Sequence, residues 1–156
     1  MSHDEYTLDT NILINMNRVY PRDIFPTLWD HLEGLVDVGW ACICSEILVE
    51  VKRGGDELHT WANDLPDFVC ELTAIEPATV ATISAQHPDW VRGTQNAADP
   101  WLIAHAIAHD RTIVSEEREA GPGVEDRNQK VPNVAAENGV ECIKFFELAR
   151  RQSWRF

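Results

Sequence analysis

Tyr6-Thr7-Leu8-Asp9-Thr10-Asn11-Ile12-Leu13-Ile14-Asn15 starts as a short apolar strand and, without a Gly or Pro, becomes a run of helical spacing. The change falls at Asp9-Thr10-Asn11, three polar residues between hydrophobic ones. A carboxylate at the carboxyl end of a parallel strand sits where open α/β sheets bind ligands. Asp, Thr and Asn are also good N-caps, so Asp9 has a plain structural reading as the cap of the next helix. One cap needs one residue. Three consecutive candidates point to a site.

Outward from this stretch, strand and helix signals alternate. Ile24, Leu28, Leu32 and Leu35 recur at helical spacing and predict a helix from Arg22 to Val36, led in by Pro21 and closed by residues 37–39. Residues 40–44 are apolar and bounded by turn signals, which predicts a buried strand. Ser45 is the expected N-cap of a helix over residues 46–52, with Arg53-Gly54-Gly55 as its stop. A short helix is expected over 56–65, a strand over 68–73 and a polar helix over 77–86. After a loop holding Pro88 and Gly93 come a helix over 98–109 and a strand over 112–115. A polar loop, 116–129, leads to a helix over 132–138 capped by Gly139, a last strand over 140–143 and a last helix over 145–151. This alternation argues for a three-layer α/β/α fold with a central parallel sheet of about four to five strands. No repeat, low-complexity run or linker interrupts residues 1–156, so a single domain is expected.

At 156 residues, 44% hydrophobic and 25% charged, the chain can bury a core without metal or disulfide staples, and disorder is not expected. No segment approaches the ~18 apolar residues of a membrane helix, and Met1-Ser2-His3-Asp4-Glu5 lacks a basic region followed by an apolar one. A cytoplasmic protein is the expectation. Cys42, Cys44, Cys70 and Cys142 include no C-x-x-C pair and no partnering His spacing, so they read as buried thiols rather than zinc ligands or disulfides. Net charge is −13, with 4 basic and 15 acidic residues in 1–78 against 9 and 11 in 79–156. Bulk attraction to nucleic acid is excluded, so a polyanion needs a local basic patch, metal ions or high ionic strength. With 3 lysines against 10 arginines, the composition would suit a salt-adapted source.

Acids recur where strands are expected to end. Asp9 ends the first; Ser45 and Glu46 follow the second, with Glu50 one turn deeper; Ser115, Glu116 and Glu117 close the strand at 112–115. Asp99 opens the helix that feeds that strand. Parallel strands point their ends the same way, so these clusters can meet at one edge of the sheet. Singly, each has a structural reading: Asp99 before Pro100 as a first-turn acid, Glu46 as a complement to a helix N-terminus, Glu50 as a solvated residue, Glu116 and Glu117 as loop charges. Brought within ~4 Å, such carboxylates repel by about 1–4 kcal/mol per pair. A fold keeps them together when protons or cations neutralise them, and all-oxygen ligands suit Mg²⁺ or Mn²⁺.

In order and approximate spacing, Asp9-Thr10-Asn11, Ser45-x4-Glu50, Ala98-Asp99-x-x-Leu102-Ile103-Ala104-x-Ala106 and Ile113-Val114-Ser115-x-Glu117 resemble the motifs of PIN-domain ribonucleases. The likeness extends to Val140-Glu141-Cys142-Ile143 and to Phe146-Glu147-Leu148-Ala149-Arg150-Arg151, and is greatest to stand-alone prokaryotic PIN proteins of the VapC-like toxin type. That resemblance implies an Mg²⁺- or Mn²⁺-dependent endoribonuclease leaving 5′-phosphate and 3′-hydroxyl ends. It implies Asp9, Glu50, Asp99 and Glu117 as catalytic metal-site acids, supported by Thr10, Asn11, Ser115 and Glu116. Arg118, Arg127, Lys130 and the tail arginines are the available phosphate anchors. Two positions depart from the family: its fourth acid is usually Asp where this chain offers Glu116 and Glu117, and its usual Thr is Ser115. Side chains alternate along an extended segment, so Ser115 and Glu117 should share a side, which favours Glu117 over Glu116 as the ligand. The expected partners are RNA, a second copy of the chain and a small basic antitoxin whose arginines would pair with the carboxylates. The surplus apolar residues Phe25, Trp29 and Trp61 mark the expected dimer or antitoxin surface, or else finish the core. The runner-up is a non-catalytic PIN-like scaffold acting through protein partners, which the altered fourth acid and the net charge keep open.

Other patterns carry less. His105-x3-His109 has zinc-compatible spacing but lacks the Glu of H-E-x-x-H, so packed helix histidines are expected. Of six tryptophans, only Trp90 and Trp154 stand near arginines, where a ring could stack on a base. Gly121-Pro122-Gly123 is a loop, not a phosphate cradle. A nucleophilic Asp enzyme would need a second Asp at position 11, where Asn stands.

Overall fold

β1 (Tyr6–Leu8) is buried along its whole length and sits at the centre of a parallel sheet. This computed structural model describes residues 4–156; Met1-Ser2-His3, part of the start read above for a leader, lies outside them. β2 (Ala41–Cys44) and β4 (Thr112–Val114) flank β1, and β3 (Val69–Cys70) and β5 (Cys142–Ile143) form the edges, giving the order β3-β2-β1-β4-β5. Tyr6 pairs with both Ala41 and Thr112, and Leu8 with Val114, so β1, β2 and β4 end at nearly the same level. Successive strands run outward from β1 in both directions. The order therefore switches beside β1, and a crevice opens at the carboxyl ends there.

Helices complete a three-layer α/β/α arrangement. They are α1 (Thr10–Val19), α2 (Pro26–Asp37), α3 (Ser45–Val51), α4 (Asp56–Asp64), α5 (Glu76–Gln86), α6 (Asp99–His109), α7 (Val131–Glu137) and α8 (Phe145–Arg151). α6 packs on β1, β2 and β4 and against α5 and α7, while α1, α3 and α4 pack on one another. Its run Leu102-Ile103-Ala104-His105-Ala106 is buried throughout, as expected of a helix laid across the middle of a sheet covered on both faces. A short 3₁₀ turn, Lys52–Gly54, carries α3 into α4. A Cβ on Gly54 would stand 2.7 Å from Leu58 Cδ2 and 2.9 Å from Ile14 Cγ1, so any side chain here would have to displace Leu58 and Ile14 where this turn closes on α1.

Several boundaries differ from the sequence expectation. α2 begins at Pro26 rather than Arg22, because proline favours the first helical position and bars helical geometry in the residue before it. Ser45 opens α3 instead of capping it; Cys44 holds the cap position with no side-chain bond. β3 keeps two of the six expected residues, since only Val69 and Cys70 find a partner strand. The loop over 116–129 contains a 3₁₀ turn, Asp126–Asn128. Trp29 lies in the core, with its indole edge-on to Trp61 at 5.0 Å, and Phe25 packs edge-on to Tyr20 at 5.4 Å. These rings finish the core rather than forming an outward surface. Of the cysteines, Cys42 and Cys44 are buried and Cys70 and Cys142 half-buried; all four are free thiols. No described helix is long and apolar enough to cross a membrane.

Candidate active site

Asp9 is the N-cap of α1, and its Oδ1 accepts the Thr10 N–H at 2.8 Å. Capping occupies only that oxygen. Oδ2 accepts the Ser115 hydroxyl at 2.7 Å and the Asn11 amide at 3.3 Å, which ties the end of β1 to the end of β4. Ser115 is saturated: its oxygen also accepts from Asn11 Nδ2 at 3.2 Å and from the Glu117 N–H at 3.1 Å. Asn11 in turn accepts the Glu116 N–H at 3.0 Å. The polar triplet and Ser115 thus form one lattice that fixes where the chain goes after β4.

The other acids gather around it. The Thr10 hydroxyl donates to Glu50 Oε1 at 2.6 Å, and Glu117 Oε2 accepts the Val131 N–H at 2.9 Å. Asp99 opens α6 and is 8% exposed, against 4% for Asp9. Asp9, Glu50, Asp99 and Glu117 line one pocket of about 240 Å³, together with Asn11, Asn96 and Arg53. Glu116 turns the other way: its Oε1 accepts the Phe145 N–H at 2.9 Å at the start of α8.

Burial and mutual repulsion dominate the electrostatics. Burial first, then Glu117 and Glu50, push the Asp9 carboxyl up from 3.8 to about 7, against the lowering effect of the Ser115 and Thr10 hydrogen bonds. Asp99 is raised well above its ordinary range by burial and by Asp9, Glu117 and Glu50; Lys130 opposes this. Two buried acids with elevated affinity for protons, flanked by two more, form a site short of positive charge. The donors are all oxygen, so the residues fit a hard divalent cation. The closest metal-competent groups lie elsewhere: Cys42, Cys70 and His105, and Glu76, His105 and His109, have ligand atoms all within 4.8 Å of one another. The four pocket acids frame a space instead of converging on a point.

The basic residues fall differently from the sequence expectation. Arg127 pairs with Glu125 at 2.7 Å and lines a separate hollow with Asp89, Arg92 and Asp126. Arg118 is exposed on the loop, and exposed Lys130 caps α7 within electrostatic reach of Asp99. The pocket's own cation is Arg53, 3.8 Å from Glu50 and bonded to the Thr94 carbonyl at 3.5 Å. Sequence reading passed over it as part of a helix stop, although its place three residues after Glu50 was a usable signal. Asn96, left-handed at φ 59°, was also missed. Trp90 cannot stack on a base: it is buried, and its indole N–H donates to the Gln129 carbonyl at 2.9 Å. Trp154 stacks on His31 at 5.4 Å and packs against the core.

A larger apolar groove of about 680 Å³ runs between α1 and α8, with Ile12, Met16, Val19, Tyr20, Phe145 and Phe146 in its walls. Asn15 borders both this groove and the acidic pocket.

Among solved structures, the chain is similar to VapBC2 from Rickettsia felis bound to a DNA fragment from their promoter, at TM-score 0.54 and 16% identity, over 90% of this chain and 98% of that one. It is also similar to FitAcB from Neisseria gonorrhoeae, at TM-score 0.50 and 13% identity, over 88% of this chain and 96% of that one. At these identities the likeness is one of fold, and the fold is PIN-like. No curated protein matches the sequence. A family model does match, over residues 6–156, from the first strand to the last residue: the chain belongs to the family described as a domain of unknown function, DUF4411.

Proposed function

We propose that this protein is a metal-dependent endoribonuclease, with Asp9, Glu50, Asp99 and Glu117 as the acids that hold Mg²⁺ or Mn²⁺ in the cytoplasm. The observation that carries this reading is the pair of buried carboxylates, Asp9 and Asp99, facing Glu50 and Glu117 across one pocket at the switch point of the sheet. Bound there, the ion would neutralise the acids, activate a water and steady the charge of a phosphodiester. The chain's own residues set the geometry. Ser115 and the Thr10 N–H aim the two oxygens of Asp9, the Thr10 hydroxyl holds Glu50, and the Val131 N–H holds Glu117. Arg53 and Lys130, with Arg118 further out, supply the positive charge that would draw an RNA backbone into an otherwise repulsive mouth. Arg127 would act at most outside the pocket.

The partner we propose is a small basic antitoxin, with an apolar segment in the groove between α1 and α8 and an arginine reaching the acids past Asn15. Charge complementarity with the pocket and the adjoining apolar walls support that placement. A non-catalytic scaffold would use the same groove and leave the acids without a task. The test is cleavage of a labelled single-stranded RNA by purified protein in Mg²⁺, in Mn²⁺ and in chelator. Divalent-dependent cleavage lost in Asp99→Asn is expected; cleavage that survives chelator, or that persists in the variant, overturns the reading.

A further inference from the structure

On the sheet, away from the acidic pocket, Cys42 of β2, Cys70 of β3 and His105 of α6 bring their ligand atoms within 4.8 Å of one another. Sequence spacing hides this group, because its members come from three elements. Cys42 Sγ lies 3.2 Å from His105 Nε2. A tetrahedral zinc centre, with Zn–S near 2.3 Å and Zn–N near 2.0 Å, needs ligand atoms about 3.5–3.8 Å apart. For the Cys42–His105 pair a few tenths of an ångström separate the observed spacing from the ideal, and the two separations to Cys70 Sγ, each within 4.8 Å, lie within about 1 Å of it.

The surroundings match. The second nitrogen of His105, Nδ1, faces Glu76 Oε1 at 3.2 Å, and both side chains are 1% exposed. Glu76 is itself fixed, since its Oε2 accepts the Thr73 N–H at 2.9 Å and its Oε1 is shared with His109 Nε2 at 3.2 Å. A carboxylate behind a ligating imidazole sets the tautomer and aims the free nitrogen at the metal. Two thiolates and a neutral imidazole balance the charge of a divalent ion, which lessens the cost of holding it in the interior. A disulfide fits less well. Cys70 is in register with Cys44, so Cys42 stands two residues along the neighbouring strand, about 8 Å away between Cα atoms by sheet geometry. That exceeds the ~7 Å a disulfide can span.

We propose that Cys42, Cys70 and His105 bind one Zn²⁺ between the sheet and α6, with Glu76 positioning His105 and the fourth place open beside half-exposed Cys70. The ion would lock the two-residue edge strand β3 to α6, giving it a hold that two register pairs alone do not provide. With three protein ligands the ion would take solvent in the fourth place, and its ligands are separate from the residues that line the acidic pocket.

The experiment uses the full chain, stripped with chelator under reducing conditions and titrated with Co²⁺, then Zn²⁺. A thiolate-to-cobalt charge-transfer band with tetrahedral ligand-field intensity is expected, with one Zn²⁺ per chain displacing the cobalt and a higher thermal midpoint in zinc. Cys70→Ser, on the half-buried edge strand β3, should lose most of the band. Glu76→Gln should keep the band and weaken binding about 10–100-fold. Asp9→Asn should change neither. Absence of the band in the wild type, equal zinc affinity in Cys70→Ser, or zinc binding lost in Asp9→Asn would each overturn the site. So would a Cys42–Cys70 cross-link found by mass spectrometry in protein purified without reductant.

Discussion

Asp9 works against the fold that holds it. Its carboxyl is raised from 3.8 to about 7, chiefly by burial. An acid whose folded pKa lies above its unfolded value favours the native state while protonated and costs stability once ionised. Without a divalent ion, stability should therefore fall as pH rises from about 4 to about 7 and stay low above that. The full preference for the proton is worth roughly 4 kcal/mol. Asp9→Asn removes the charge but turns one acceptor oxygen into a donor facing saturated Ser115, a loss of about 1 kcal/mol. In chelator the variant should thus be more stable than wild type by about 3 kcal/mol near pH 8, with the gain gone near pH 4. Urea unfolding at both values measures it, and a variant weaker than wild type at the higher pH would refute the electrostatic account. In Mn²⁺ the same substitution should lower RNA cleavage by orders of magnitude. Glu116 and Glu117 make a second residue-level test. Glu117 faces the acids, whereas Glu116 caps α8, where Gln keeps the acceptor for Phe145. Glu117→Gln should abolish cleavage and Glu116→Gln should preserve it; the reverse result would place the metal on the wrong acid.

At the scale of elements, short turns and single contacts matter more than helix propensity. Gly54→Ala would push a methyl to 2.7 Å from Leu58 and 2.9 Å from Ile14, which borders the acidic pocket. We expect a loss of about 1–3 kcal/mol in thermal or urea unfolding, accompanied by weaker Mn²⁺ binding. The long loop after β4 has its own anchor in His87, whose ring nitrogens reach Asp126 at 2.5 Å and Glu137 at 2.6 Å. Burial lowers the imidazolium, but the two carboxylates outweigh it and the pKa is raised. A base raised on folding stabilises fully below its unfolded value, about 6.5, and the gain is lost as pH climbs through the folded value. His87→Gln should therefore cost about 1 kcal/mol at pH 6 and little at pH 9, read from thermal midpoints at both values. An equal cost at both would mean that the clamp is neutral. Sequence patterns made most of these elements legible, because strand-to-helix alternation and cap signals are local. Asp9, Asp99 and Glu117 stood at element ends, where the sheet's topology brings distant residues together without long-range detail. What stayed hidden depended on register and chain crossing. Arg53 reaches the pocket only because α3 turns there, β3 stops at Cys70 because its partner strand ends at Cys44, and Cys42, Cys70 and His105 meet across three elements with no motif to announce them.

For the whole molecule, the surplus of apolar residues needs a new place. Trp29 and Trp61 turn inward, so a partner surface must use what remains exposed, and Val19 and Phe146 are each about half exposed on the groove between α1 and α8. Basic Arg18, Lys144 and Arg150 stand on that groove against Glu116 and Glu147, so its rim is nearly balanced while the pocket beyond Asn15 is acidic. A chain of net charge −13 attracts cationic segments at long range, but registry on the surface has to come from apolar contact. These two contributions are separable. Added salt should weaken binding of the proposed basic antitoxin, whereas Phe146→Asp should weaken the complex at any salt, by tenfold or more, which is about 1.4 kcal/mol. The substitution lies outside the acidic pocket, so metal-dependent cleavage should continue, now without inhibition by the partner. Calorimetric titration at two salt concentrations, with cleavage measured in parallel, decides the matter. Unchanged affinity in Phe146→Asp would move the partner off the groove, and loss of cleavage in the same variant would show that groove and pocket are not independent.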